Sequence, residues 1–196
     1  ANGNQVGAAR TILEANILGA SCARVCPTSV LCEGACVLMD RDEKPIKIGR
    51  LQRYATDPVL DDQFDALPTP AAPSGKQVAL IGGGPASLGC AAELARLGHK
   101  AVVFEKMPDA GGLNTYGIAY YKLTPEVSLK EINLIKRLGV EFRCGVHVGK
   151  DMSMDDIRAE FDAVFIGIGL GNARRLDIPG EALPEVMDAL DFIESF

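Results

Sequence analysis

The residues best placed to do chemistry fall into two groups. The first is Gly82-Gly83-Gly84-Pro85-Ala86-Ser87, preceded by the apolar run Val78 to Ile81 and followed, one strand later, by Glu105-Lys106. Strand, glycine turn and helix follow one another in that order. Gly82 allows the tight turn and Gly84 lets the backbone approach a pyrophosphate. The helix from Pro85 to about Leu97 directs its N-terminal amides and positive dipole end at phosphates. A second strand, Ala101 to Phe104, ends in Glu105, which is placed to accept hydrogen bonds from a ribose. Ser87 stands where the usual pattern has a third glycine and is small enough for close helix–strand packing. A short glycine pattern alone is weak; the strand before, the helix after and the acid at the end of the next strand make it specific. The competing reading is a glycine-rich turn that binds nothing.

The second group is Cys22, Cys26, Cys32 and Cys36, in the pattern C-x3-C-P-T-x3-C-x3-C, while Cys90 and Cys144 stand alone. Proline directly after a cysteine ligand is a frequent companion of iron–sulfur sites. A disulfide scaffold fits poorly with an intracellular type of neighbouring domain. Zinc remains open, although zinc knuckles usually place two residues between cysteines. Inert buried thiols are the bland alternative. Beside a nucleotide-binding fold, iron–sulfur ligation makes sense as electron transfer, and this reading is favoured. His99 and His147 are the only histidines, one in a turn and one in a short polar strand, and neither reads as catalytic. No Ser–His–Asp set or carboxylate pair stands out, and Asp155-Asp156 reads as a helix start, so the catalytic residues are left unknown.

Elements of ordinary kinds must position these groups. The chain has 196 residues, 47% hydrophobic and 23% charged, with a net charge of -6 and no tryptophan. This is a globular composition that argues against a nucleic-acid partner. No apolar run reaches membrane-span length. Ala1-Asn2-Gly3-Asn4 has no signal-peptide character, and a cytoplasmic protein is expected. Pro68, Pro70, Pro73 and Gly75 mark a linker over 66–75, between a helical segment over 1–65 and an alternating strand–helix segment over 76–196. In the first segment the spacing predicts a helix over Val6 to Ala15, a short helix capped by Thr28 or Ser29 and running through Cys32, and a helix over Ile48 to Thr56 that stops before Pro58. In the second, strands are expected over Gln77 to Ile81, Ala101 to Phe104, Glu141 to Cys144 and Ala163 to Ile166. Thr124 with Pro125 should open a helix to Leu138. Ser153 and Asp156 resemble a capping box ahead of Ile157 to Phe161.

Several longer stretches carry a resemblance. They are Ala15 to Gly19, Cys22 to Thr28, Leu31 to Cys36, Ile48 to Tyr54, Gly111 to Ile118 and Phe165 to Gly169. Together they resemble the iron–sulfur and flavin portion shared by dihydropyrimidine dehydrogenase, including its bacterial two-subunit form, and the small subunit of NADPH-dependent glutamate synthase. The resemblance covers nearly the whole chain. It implies an α/β protein in which a small helical iron–sulfur-type domain precedes a Rossmann-like FAD-binding domain, incomplete over this stretch. It implies that Gly82, Gly83, Gly84, Pro85 and Ala86 cradle the FAD pyrophosphate and that Glu105, followed by Lys106, binds the adenosine ribose. Gly112 and Leu113 would line the flavin side, with contacts from Lys122 and the Val148 backbone. Cys26, Cys32 and Gln52 would ligate one [4Fe-4S] cluster, Cys36 would reach a second, and Cys22 would not be a ligand. The residues alone would have put all four cysteines on one cluster. An amide oxygen in place of thiolate changes the net charge of a cluster and hence its potential.

The resemblance further implies NAD(P)H as the reductant, through a domain the family inserts after the point where this sequence stops. The electrons would go to a partner, an FMN-containing reductase or synthase subunit or domain that reduces uracil or thymine in one branch and makes glutamate in the other. Gln52 favours the pyrimidine branch. The family takes further cluster ligands from a cysteine-rich segment upstream of these residues, so little or no bound iron is expected on residues 1–196 alone. The alternative is a nucleotide-binding fragment without activity of its own.

Overall fold

The computed structural model describes residues 3–41, 44–170 and 174–195; Ala1 and Asn2, part of the stretch read for a targeting signal, lie outside them. Five segments precede the sheet: α1 (Gln5–Ala15), α2 (Gly19–Val25), two single 3₁₀ turns at Thr28–Val30 and Met39–Arg41, and α3 (Ile48–Leu60). Then follow β1 (Gln77–Ile81), α4 (Pro85–Arg96), β2 (Lys100–Glu105), α5 (Leu113–Tyr116), α6 (Pro125–Arg137), β3 (Glu141–Cys144), α7 (Met154–Glu160), β4 (Ala163–Ile166) and α8 (Ala189–Glu194).

The strands form one parallel sheet in the order β3-β2-β1-β4. The strand order reverses between β2–β1 and β1–β4, and crevices at such points, beyond the carboxyl ends of the strands, are where nucleotides bind in doubly wound folds. Both faces of the sheet are covered at its centre, so β1 and β2 are apolar runs, whereas the edge strand β3 alternates as Glu141-Phe142-Arg143-Cys144. On one face Ala79, Ile81, Val102 and Phe104 pack with Ile157 and Phe161 from the α7 region. Phe104 and Phe161 meet edge to face at 5.8 Å. On the other face Leu80 and Val103 join Leu88 and Ala91 of α4 and Ile132 and Ile135 of α6. The same core takes in Ala9 and Leu13 of α1 and Ala55 and Val59 of α3. The helical segment and the sheet segment therefore share one continuous hydrophobic core.

The strands at 77–81, 141–144 and 163–166 coincide with the sequence expectation, and β2 is longer by one residue at each end. The capping box is present, with the Ser153 side chain accepting from the Asp156 N–H and the Asp156 carboxylate accepting from the Ser153 N–H. Three local readings are corrected. The short helix expected through Cys32 is a single 3₁₀ turn, because Leu31 leaves the helical basin at φ -114, ψ -112. The cysteine segment begins instead with α2, which the sequence reading left without a helix. α3 does not stop before Pro58 but runs on to Leu60. Proline removes the N–H that would bond the carbonyl one turn back. That carbonyl, on Tyr54, accepts from Gln5 Nε2 of α1 instead. Thr124 occupies the N-cap of α6 with Pro125 in its first turn, as expected, and its side chain makes no capping bond.

The 66–75 stretch has no regular structure, yet it is fastened down. Ala66 is fully buried in the shared core. The Ala71 N–H donates to Arg96 O and the Ser74 N–H to Gly98 O, both at 2.9 Å. Ser74 Oγ lies 2.6 Å from His99 Nδ1, which gives that histidine a structural partner.

Candidate functional site

The glycine turn joins β1 to α4. Gly82 sits at φ +92, and a Cβ there would lie 2.6 Å from Gly167 O, so both conformation and space demand glycine. Gly83 is hemmed in by Ala110 and Glu105. Gly84 differs from both. Its backbone, at φ -77, ψ 177, suits any residue. A Cβ on it would meet nothing within 4 Å. The protein itself gives no reason for glycine here, and a Cβ would project into open space at the start of α4. The first N–H groups of that helix have no carbonyl one turn back. No side chain caps them either. Free amides, a positive helix end and open space are what a pyrophosphate requires.

A second loop docks on the turn. The Gly111 N–H donates to Gly83 O at 2.8 Å. A Cβ on Gly112, which has φ +54, would lie 2.8 Å from Gly84 Cα. Thr115 Oγ1 donates to Ala110 O and meets Ser128 Oγ of α6, both at 2.9 Å. Tyr116 OH accepts from the Asp109 N–H at 3.0 Å. Leu113, next to Gly112, is exposed. Glu105 is buried at the end of β2, where Oε2 accepts from the Gly83 N–H at 2.6 Å and Oε1 from the Met107 N–H at 2.8 Å. Each oxygen keeps a second lone pair, so ribose hydroxyls would add to these bonds rather than replace them. Lys106 and Lys122 are exposed. Val148 turns its side chain toward the α7 face of the sheet. Ser87, in place of the third glycine, is fully buried against Gly167, and its Oγ has no hydrogen-bond partner among the described residues.

The cysteine segment is organised around α2 and α3. Cys22 Sγ and Cys26 Sγ are 3.4 Å apart. Burial first, then Cys22, then Cys32 push the Cys26 thiol up to about 11; bound iron would reverse that pull. Cys32 is exposed and Cys36 half-buried. Among the described residues no three His, Cys, Asp or Glu side chains converge on one metal-sized site. The fold thus does not gather the four thiols as spacing alone suggested. Thr28 O accepts from the N–H groups of Leu31, Glu33 and Gly34, which closes the segment between Cys26 and Cys36 into a compact loop. A Cβ on Gly34 would strike Ser29 O at 2.3 Å. Glu33 accepts from the Gly49 N–H at 3.1 Å and ties this loop to the first turn of α3. One turn further on, Gln52 Nε2 donates to Gly19 O at 2.5 Å. That bond assigns the amide nitrogen to the protein and leaves Oε1, the only atom of the amide that could bind iron, without a partner among the described residues.

Two buried acids escaped the sequence reading. Glu33 is one; Glu131 of α6, at 1% exposure, is the other. Glu131 Oε1 accepts from the N–H groups of Ala20 and Ser21 at 2.9 and 3.0 Å, and Oε2 accepts from Ser21 Oγ. Burial pushes its carboxyl above the ordinary range, against those hydrogen bonds and Arg24. The available signal was its spacing, since Ser128, Glu131, Ile132 and Ile135 share the buried face of α6.

The parallel sheet with its uncapped glycine turn, preceded by a cysteine-bearing helical segment, defines a class of nucleotide-binding oxidoreductase domains joined to an N-terminal iron–sulfur-type segment. Residues 76–196 match the pyridine nucleotide-disulphide oxidoreductase family, and the chain belongs to it. Residues 1–64 match dihydropyrimidine dehydrogenase domain II, 4Fe-4S cluster. The chain is 39% identical to a putative oxidoreductase, UacF, of Escherichia coli over 97% of its own length and 30% of that protein. It is 39% identical to the Escherichia coli glutamate synthase [NADPH] small chain over 92% of itself and 38% of that protein. The NAD-dependent dihydropyrimidine dehydrogenase subunit PreT of Salmonella typhimurium is also 39% identical, over 97% of this chain and 46% of that one. The chain thus spans between 30% and 46% of the length of these curated relatives. Among the described residues no helix is long and apolar enough to cross a membrane.

Proposed function

We propose that this chain is the electron-entry portion of an NAD(P)H-dependent oxidoreductase, which takes reducing equivalents through FAD and [4Fe-4S] clusters to a partner reductase that reduces uracil or thymine. Segments 1–65 and 76–196 are the iron–sulfur and flavin units of this reading. The observation that carries it is the joint presence of the open space at Gly84 and the unpartnered Oε1 of Gln52. When bound, FAD supplies the conversion of a hydride into single electrons, and the protein supplies binding and orientation. Gly82 and Gly83 shape the turn, and the first amides of α4, with Gly84, Pro85 and Ala86, receive the pyrophosphate. Glu105 holds the ribose while bracing the turn through the Gly83 N–H. Gly112 and Leu113 face the flavin side, joined by Lys122 and the Val148 backbone. Cys26, Cys32 and Gln52 hold one cluster and Cys36 reaches a second.

A glutamate synthase small-chain role is the second reading. It is favoured by a relative of that kind at the same 39% identity. A neutral amide at Gln52 supports the pyrimidine branch. Both readings expect flavin bands after reconstitution with FAD and, in a longer protein that restores the upstream cysteine-rich segment, a broad iron–sulfur shoulder after reconstitution with iron and sulfide. A longer protein that stays colourless refutes both. Cys26→Ala and Gln52→Ala are expected to lower bound iron and acid-labile sulfide, and Cys22→Ala to leave them unchanged. Iron lost on Cys22→Ala overturns the ligand assignment. Activity of the partnered protein toward uracil rather than 2-oxoglutarate and glutamine separates the branches.

A further inference from the structure

We propose that Glu131 is a positioning residue, which fixes the cysteine-bearing helix α2 relative to the flavin-side loop by using α6 as a shared strut. The inference rests on the reading above. A buried carboxyl group is costly unless it is hydrogen-bonded. Glu131 meets that condition only through α2, from the backbone of Ala20 and from both donors of Ser21. Ser128 lies one turn earlier on the same face of α6. Its hydroxyl meets Thr115 Oγ1, which in turn holds Ala110 O beside the Gly111–Gly112 loop. A Cβ on Gly111 would collide with Thr115 Oγ1 and Ser128 Oγ, so loop and helix are in direct contact. The two attachment points are about 4.5 Å apart along the axis of one rigid helix.

At the other end, Ser21 directly precedes Cys22, and Cys26 is the C-cap of α2. Gly19, on the first turn of α2, receives the amide of Gln52. A shift of α2 therefore moves the Cys22–Cys26 pair and the Gln52 anchor together. Apolar packing alone would allow α2 to slide, whereas three directed bonds to one carboxyl group fix its register.

The test uses the longer protein, reconstituted with FAD, iron and sulfide, whose bound FAD is photoreduced by a flash with a tertiary-amine carboxylate as sacrificial electron donor, so that one electron passes from that donor to the flavin and then leaves it to reduce one oxidised cluster. In Glu131→Gln one amide oxygen replaces two acceptors, and an NH₂ faces the donors of Ser21. Flavin affinity is expected to stay within about twofold while cluster reduction slows by several-fold, because a shift of α2 changes the distance the electron crosses. Ser21→Ala removes one donor without adding another; it is expected to slow the same step by a smaller factor and serves alone where Glu131→Gln does not fold. Unchanged cluster reduction, or flavin affinity and cluster reduction falling in parallel, overturns the proposal. Should the wild-type protein take up neither FAD nor iron, it is the functional reading that fails. The docking role is then judged by iodoacetamide labelling of Cys22 and Cys26, which Glu131→Gln should accelerate relative to Cys90; equal rates overturn it.

Discussion

Replacing Gly84 and Gly82 by valine, one at a time, should separate a glycine kept for a ligand from a glycine kept for the fold. At Gly84 the backbone angles are ordinary and a Cβ touches nothing within 4 Å. The expected cost is that of a poor N-cap residue, about 0.5–1 kcal/mol. At Gly82 the φ of +92 costs about 1–2 kcal/mol for any L side chain. The Cβ also falls 2.6 Å from the backbone oxygen of Gly167, which cannot rotate away. Overpacking of that kind adds roughly 1–3 kcal/mol. Each kcal/mol shifts the melting temperature of a chain of this size by about 2–4 °C. Gly84→Val should therefore melt within about 4 °C of wild type, and Gly82→Val roughly 5–20 °C lower. Fluorescence titration with FAD should reverse the ranking of harm for Gly84→Val, whose branched side chain fills the pyrophosphate space. A loss of at least about a hundredfold in affinity, near 2.7 kcal/mol, is expected. Unchanged flavin affinity in Gly84→Val, or equal destabilisation by the two substitutions, would refute the reasoning.

Three further outcomes are expected. Gly167→Ala places a methyl group 2.2 Å from Ser87 Oγ, so it should destabilise the wild-type chain by about 1–3 kcal/mol and cost much less in a Ser87→Ala background; additive urea-melt energies would show that the two residues do not press on each other. Limited proteolysis should cut within the exposed stretch 69–76, but the pieces should co-elute on native size exclusion because one core and the Glu131 bonds hold them; two separate peaks would contradict that. The Asp162 carboxyl is held below its ordinary value by the Lys76 ammonium and the Gln77 N–H, so its contribution to stability is present above the ordinary carboxylate range and is lost as pH falls through its folded-state value; acid melts of Asp162→Asn should fall less steeply there, and an unchanged slope would remove the ion pair from the account.

How much was legible in advance depended on whether a local rule had a rival. β1, β2 and β4 carry continuous apolar runs that leave little room for another reading. The Ser153–Asp156 box is a signal contained within four residues. α2 was hidden because Gly19-Ala20-Ser21-Cys22 is a weak helix former, and what fastens its start is Glu131, 110 residues away from Ser21. Pro58 looked like a stop because the proline rule does not know that Gln5 will satisfy the carbonyl it frees. Glu105 was legible as an acid at a strand end. Its second task, bracing the glycine turn through the Gly83 N–H, appears only once β1 and β2 are paired. Gln52 was legible only through resemblance, since an isolated glutamine on a helix reads as a solvated side chain.

The core that runs from α1 through α3 to α6 bears on how such proteins could be recombined. On a sequence map, the proline stretch from Pro68 to Pro73 looks like the natural place to splice one donor's cysteine segment onto another donor's nucleotide-binding half. A chimera cut there would separate Leu13 and Val59 from Leu88 and Ile135, and Glu131 from Ser21. It would thus bring together two surfaces that never evolved against each other, with a bare carboxyl group at the join. A crossover at Gly139, which has φ +97 and no neighbour within 4 Å of a Cβ, would instead move α1 to α6 as one block. The new junctions would then fall at the β2–β3 and β1–β4 pairings and where Ile157 and Phe161 pack on β1 and β2, none of which involves the cysteine segment.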